Sequence, residues 1–268
     1  MSDAKHFLIQ PALLISTLIG FSAEAMALAP QCPDIASSDD NLSASATIVG
    51  SALDPSDNTL LYCEYHYPEL PNGRQFLVEY RDSAQALIAQ KKLSYSGSLL
   101  QPQVRQEDFR HGEQRQVLLS RDANGHLNIE VQYKKPDAEN IKKADLKLSD
   151  SLVIDAGFDE AIRQSWIDLI AGQTVKMDFL SPVHLKTFNL SITKTTDKNY
   201  LVKREGYSEQ VVSFLIRPSN SFISLFAKPL LLSYDLRTRR LLSYNGNVNI
   251  TDEDGATMEA TIQYYYRN

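Results

Sequence analysis

Three groups of side chains in this sequence are of types that could do chemistry. Asp155, Asp159 and Glu160 lie close together with Arg163. Two carboxylates can divide acid and base work when burial separates their pKa values. Acidic residues in the first turn of a helix are also the ordinary capping and dipole arrangement, and that reading is favoured here. Asp108, Arg110, His111 and Glu113 form a second polar cluster, expected in a solvated loop. Asp252, Asp254 and Glu259 have the look of a calcium loop. An EF-hand needs ligands at alternate positions through twelve residues, however, and here a strand-like run follows at once. A hairpin turn is expected instead.

The remaining chemistry is sparse. His6, His66, His111, His126 and His184 have no second histidine at metal-ligand spacing. No GxSxG, HExxH, GxxxxGKS, GxGxxG or CxxC occurs. The chain is therefore read as a non-enzyme, with no catalytic residue, no metal and no cofactor. A carboxylate-based hydrolase acting on an envelope glycan or ester is the least favoured alternative.

Residues 1–27 read as a cleaved signal peptide. Lys5 and the free amine precede an apolar Phe7–Phe21, and Ser22–Ala29 is small and alanine-rich. Gln10-Pro11 interrupts a run already shorter than the ~20 apolar residues a membrane span needs. Ala25-Met26-Ala27 is the best small-x-small site, so cleavage near Ala27 is expected, with Ala27-Leu28-Ala29 as the second choice. Pro30-Gln31 before Cys32 does not suit a lipoprotein signal. The expectation is a periplasmic protein that is not an integral membrane protein after cleavage. Cys32 and Cys63 are the only thiols, and in an oxidising compartment a disulfide between them is expected. It would tie a flexible N-terminal arm, 28–59, to the first strand; two unpaired cysteines are the alternative. Neither cysteine has a nearby histidine or CxxC partner to make it a catalytic thiol.

The chain has 268 residues, 43% of them hydrophobic, and a formal charge of −6 from 27 basic and 33 acidic side chains. Without a basic stretch, no nucleic-acid partner is expected. The roughly 240 residues left after the signal can bury about three-quarters of their extended surface, so no metal or staple is required to hold a core.

Those residues are dominated by period-two alternation. Leu127, Ile129, Val131 and Tyr133 alternate with polar neighbours. So do Leu242, Tyr244, Val248 and Ile250 with Gly246, and Met258, Ala260, Ile262, Tyr264 and Tyr266. Asn-Gly and Asp-Gly turns between such runs favour hairpins. Ser83–Lys92 has helix propensity but lies between strand-like runs, and a hairpin turning at Asp82–Gln85 is expected. The one clear helix is near 158–171, where Phe158, Ile162, Trp166 and Ile170 share a face. The charged stretch 134–147 reads as a solvated connector. The expected fold is mainly β. It is a single curved antiparallel sheet of about ten to eleven strands, a half-barrel over 60–268, with one packed helix. A β-sandwich is the alternative.

The stretches DAGFDEAIRQSWIDLIAGQ, RPSNSFISLFAKPLLLSYD and RRLLSYNGNVNITDEDG resemble exported proteobacterial proteins of unknown function. That likeness spans most of the mature chain. The order of features also resembles, in architecture alone, the half-barrel proteins of the bacterial envelope, of which the lipoprotein carriers LolA and LolB are best known. This resemblance implies a concave apolar face and a lipid-like or acylated ligand, and it transfers no catalytic residue.

Phe222, Ile223, Leu225 and Phe226 lie in Ser221–Leu232, bracketed by Pro218 and Pro229. They are too apolar for an exposed connector. A core-packing turn is the ordinary reading, and a lid over an apolar groove is the functional one. Arg237, Arg239 and Arg240 follow, suiting either an anionic head group or a charged hairpin edge. The candidate ligand-binding residues are thus Phe158, Ile162, Trp166, Phe222, Ile223, Leu225, Phe226, Tyr234 and Tyr244. The expected function is binding or carriage of a hydrophobic or amphipathic ligand. An envelope assembly or scaffold factor with a protein partner is the alternative.

Overall fold

The computed structural model describes residues 32–38, 45–68, 74–121, 127–196, 211–219 and 228–267. The first half contributes β1 (Ile48–Leu53), β2 (Leu60–His66), β3 (Gln75–Asp82), β4 (Leu87–Ser94), β5 (Gln103–Asp108), β6 (Glu113–Arg121), β7 (Leu127–Lys134) and β8 (Ile141–Lys147). Then come β9 (Leu152–Ile154), α1 (Gly157–Gln164) and α2 (Trp166–Ile170). The second half is β10 (Val175–Ser181), β11 (Lys186–Thr195), β12 (Val211–Pro218), β13 (Leu230–Asp235), β14 (Leu241–Thr251) and β15 (Thr257–Tyr266).

All fifteen strands join one sheet in the order β8-β7-β6-β5-β4-β3-β2-β1-β15-β14-β13-β12-β11-β10-β9. Every pairing is antiparallel except β9 with β10. The first and last strands meet in the middle, Ile48 opposite Tyr266. The mainly β, single-sheet expectation holds, and the strand count exceeds the ten to eleven expected.

The added strands are those whose sequence hides their period. β1 lies inside 28–59, the span expected to be an arm. It is buried on both faces, so IVGSAL offers no polar alternation. β8 lies inside the expected connector 134–147. It is a sheet edge, largely exposed, with Lys142, Lys143 and Lys147 along it, a pattern that discourages further strand addition. The hairpin at Asp82–Gln85 forms as expected: Gln85 takes a φ of 68° and its N–H donates to Asp82 O at 3.0 Å.

The helix is two short helices that meet at Ser165. Asp159 and Glu160 occupy the first turn of α1. The cap residue is Ala156, which offers no side-chain bond, so Asp155 does not cap. Ala161, Ile162, Trp166 and Leu169 pack on Ile192, Phe214, Leu232 and Tyr234, which defines the inner face of the sheet. The sheet then rolls on itself. Val153 of β9 faces the helices, whereas Leu152, Ile154 and Leu180 pack on Leu93, Val104, Val117 and Ile129 of the far half.

The β9 edge is closed by the loop before β5. Ile154 N–H donates to Leu100 O at 2.9 Å, and Gln101 Nε2 donates to the carbonyls of Ser149 and Leu152. Gly157 is needed here, because a Cβ would stand 2.1 Å from Leu100 O.

On the outer face, residues 32–38 lie over β1–β3. Cys32 and Cys63 form a disulfide with Cα atoms 5.8 Å apart, among Val49, Tyr65, Tyr67 and Leu77. Replacing both cysteines by alanine should lower stability by about 3–4 kcal/mol, the loop-entropy value for this separation. Urea unfolding followed by circular dichroism measures that loss. An unchanged midpoint would mean that the arm is held by other contacts.

Candidate functional site

Along β2 the inward positions are Tyr62, Glu64 and His66, so a carboxylate stands where the pattern asks for an apolar side chain. Glu64 is opposite Tyr80 on β3 and Gly50 on β1, and Gly50 is opposite Tyr264 on β15. A Cβ on Gly50 would stand 3.0 Å from the Tyr264 ring. The missing side chain lets that ring lie across β1, and its hydroxyl donates to Glu64 Oε2 at 3.1 Å. Tyr62 Oη donates to Glu64 Oε1 at 3.4 Å, and His66 Nε2 lies 3.2 Å from Oε2.

A second inward charge is Lys91 on β4, between Ala89 and Leu93. Its ammonium donates to Asp155 Oδ1 at 2.8 Å. Burial disfavours the charge on Lys91, but Asp155, aided by Tyr80, outweighs that and raises its pKa. Burial, and then Glu64, hold the Tyr62 and Tyr264 hydroxyls protonated well beyond the usual tyrosine range. Tyr95 is pushed up to about 12 by burial and then by Asp155. Tyr244 also rises through burial and Glu64. The inner face therefore encloses a carboxylate that accepts from the Tyr62 and Tyr264 hydroxyls and an ammonium paired with Asp155, while the Tyr244 hydroxyl donates to Asn247 O. Half-buried Leu61, Val248 and Met258 adjoin them.

Asp155 and Asp159, whose acid–base reading is the less favoured one, do not act as one unit. Asp155 belongs to Lys91, and Asp159 pairs with Arg163 and accepts from Tyr234 Oη at 3.0 Å. Burial raises the Asp159 pKa despite the opposing Arg163 charge.

The Asp108–Glu113 cluster is a correction. It was expected in a solvated loop, yet Asp108, His111 and Glu113 are buried at the ends of β5 and β6. Arg110 bridges Asp108 and the Thr251 carbonyl, the latter at 2.7 Å. His111 Nε2 lies 2.7 Å from Thr251 Oγ1. Gln106 Nε2 adds a bond to Asn249 O. These groups latch the β5–β6 hairpin onto β14 where the rolled sheet meets itself, a contact no local pattern announces.

Of the candidate ligand-binding residues, Ile162, Trp166 and Tyr234 fill one another's space. The Trp166 ring stands 5.6 Å from Phe214 and 5.8 Å from Tyr234. Phe158 is half-buried, 5.8 Å from Phe179, and the Tyr244 ring packs beside the Glu64 tyrosines while its hydroxyl donates to Asn247 O. Phe222, Ile223, Leu225 and Phe226 lie outside the described residues.

Sequence reasoning passed over Glu64, Lys91, Tyr80, Tyr95 and Tyr264. Its available signal was a charge at an inward position of an otherwise apolar alternation. A shallow concavity of about 340 Å³ elsewhere is lined by Gln90, Arg105, Glu107, Phe109, Gln114 and neighbours, and it touches none of these residues. Among the described residues no cluster of metal-ligating side chains occurs, and no helix is long and apolar enough to cross a membrane. No family model, curated protein or solved structure matches the chain.

Proposed function

We propose that the protein is an exported periplasmic binding protein for an amphipathic, lipid-like or acylated molecule, held on the inner face of the sheet. One observation carries the reading: Tyr62, Tyr80, Tyr95, Tyr244 and Tyr264 surround Glu64 and the Lys91–Asp155 pair, beside half-buried Leu61, Val248 and Met258. Glu64 with its two tyrosine hydroxyls, and the Lys91–Asp155 pair, are the groups that would exchange partners with a polar head. The adjoining aliphatic side chains suit an acyl or ring portion, since binding sites are mostly apolar with a few convergent polar groups.

Native mass spectrometry after gentle purification tests the reading, with N-phenyl-1-naphthylamine as a fluorescent probe of the stripped protein. An adduct in the lipid mass range is expected. Met258→Asp should weaken probe binding about tenfold, the loss of one buried apolar side chain. Protein that is repeatedly empty and indifferent to the probe would overturn the proposal.

A second reading has its own support. The space between the helices and the sheet is filled by Trp166, Phe214 and Tyr234, which favours an envelope assembly factor with a protein partner and no small ligand. Empty protein that recovers a defined envelope partner in pull-downs would select it.

A further inference from the structure

We propose that α2 and the β13–β14 turn form a docking surface for an anionic lipid bilayer. Ile167 is 79% exposed, the most exposed of the large hydrophobic residues described, although it lies next to buried Trp166. Leu236, 45% exposed, opens the turn, and Arg237, Arg239 and Arg240 follow it, all exposed. The two segments are joined through Trp166, whose ring lies 5.5 Å from the Arg239 guanidinium carbon. Arg240 lies over the Tyr266 ring at 4.8 Å.

The turn is built to hold this display. Asp235 Oδ1 accepts from Arg237 N at 3.0 Å, Thr238 N at 2.6 Å and Thr238 Oγ1 at 2.8 Å. Arg239 takes a φ of 56° and donates its N–H to Asp235 O. The Asp235 carboxylate is thus engaged by the turn backbone. Burial opposes its charge, but the Thr238 and Arg237 backbone bonds, the Thr238 hydroxyl and then the Arg237 charge lower its pKa overall. No ion pair within 4 Å engages the three guanidinium groups among the described residues. Lys194 adds a fourth cation, its ammonium 3.3 Å from Ile170 O at the end of α2. The acidic neighbours are Asp168, Asp235 and, beside Tyr234 and Tyr266, Asp159 with Glu160, the last two paired with Arg163, so the five cations leave the patch net positive on a chain of net charge −6.

Charge complementarity selects the occupant. Guanidinium groups stacked on rings keep their outer N–H edges for phosphate oxygens, and each basic residue near an anionic bilayer strengthens binding several-fold. The exposed isoleucine and leucine give the patch something to insert at the headgroup boundary. A soluble polyanion would have no use for them.

Vesicle flotation tests the inference. The purified protein should float with vesicles of equal parts phosphatidylglycerol and phosphatidylcholine, and not with phosphatidylcholine alone. About 0.5 M salt should suppress flotation, because the Debye length falls to a few ångströms. Arg237→Gln with Arg239→Gln and Arg240→Gln should lower partitioning about a hundredfold. Ile167→Ser with Leu236→Ser should lower it about tenfold. Every variant has the same N-terminus, so differences between them read the patch alone. Arg237→Gln by itself touches no ring and should lower partitioning about fivefold with an unchanged circular dichroism spectrum, which covers misfolding of the triple variant. Flotation that ignores all three changes would overturn the proposal. So would binding to heparin that matches vesicle binding and is indifferent to the apolar pair, pointing to a soluble polyanion.

Discussion

Glu79→Ala should cost the protein about 3–5 kcal/mol, the range for breaking a buried, hydrogen-bonded charge pair. Glu79 is 0% exposed. Its Oε1 accepts from Ser38 N at 2.8 Å, Ser38 Oγ at 2.6 Å and Ser37 Oγ at 3.2 Å. Its Oε2 accepts from Arg81 Nη2 at 2.8 Å, Arg81 Nε at 3.1 Å and Tyr67 Oη at 3.3 Å. The carboxylate fastens the N-terminal segment over β1–β3, and alanine would leave Arg81 charged and largely enclosed with only the Gln85 carbonyl, at 3.0 Å, as its partner. Burial alone would raise the Glu79 pKa, but the bonds from Ser38 and Arg81 outweigh it and the net shift is downward. A lowered carboxylate pKa contributes stability that is present above its unfolded value, about 4.3, and is lost as pH falls through the folded value. Urea unfolding at neutral pH should therefore show the full penalty. The gap between wild type and Glu79→Gln should begin to narrow as pH falls below the unfolded value and be lost once pH has passed through the lower folded one. A gap that persists unchanged in acid would mean that the charge on Glu79 is not what holds the segment.

How much of this architecture the sequence declares follows from which residues face a single environment. Ile129, Val131 and Tyr133 alternate because one face of β7 is covered and the other wet, and there the strand is plain from the residues. β1 is covered on both faces, by the N-terminal segment outside and by tyrosines inside, so Ile48–Leu53 has no polar phase to reveal it. β9 is three residues between the helices and the far half of the sheet, too short for any period. The Asp108–Glu113 cluster misleads for a different reason. Its charges are buried by β14, more than a hundred residues away, and a roll that brings distant strands of the open sheet together leaves no local trace. The inner charges were legible in principle: Glu64 between Tyr62 and His66, and Lys91 between Ala89 and Leu93, each break an inward alternation. What the residues could not say is that β2 and β4 bring those breaks to one face with Asp155, which enters from the loop before α1.

The Lys91–Asp155 pair separates structure from recognition. Lys91→Met should destabilise the fold by about 3–5 kcal/mol, because Asp155 is left largely enclosed without its cation. Asp155→Asn should cost a comparable amount by stranding a buried ammonium. Asparagine is the informative replacement, since residue 155 takes a φ of 43°, and asparagine tolerates the left-handed region where leucine or valine would add strain. The double variant removes both charges at once, so its loss should be smaller than that of either single change, a coupling of several kcal/mol. Methionine spans much of the volume of the lysine stem, which keeps Tyr80 and Leu93 packed. If the pair were only a structural strut, the double variant would fold and still bind N-phenyl-1-naphthylamine and any native adduct at wild-type strength. If the pair addresses the polar head of a ligand, stability returns in the double variant while the adduct does not. Additive losses in stability would show that the two charges do not depend on each other. The inner-face proposal would then rest on Glu64 and its tyrosines alone.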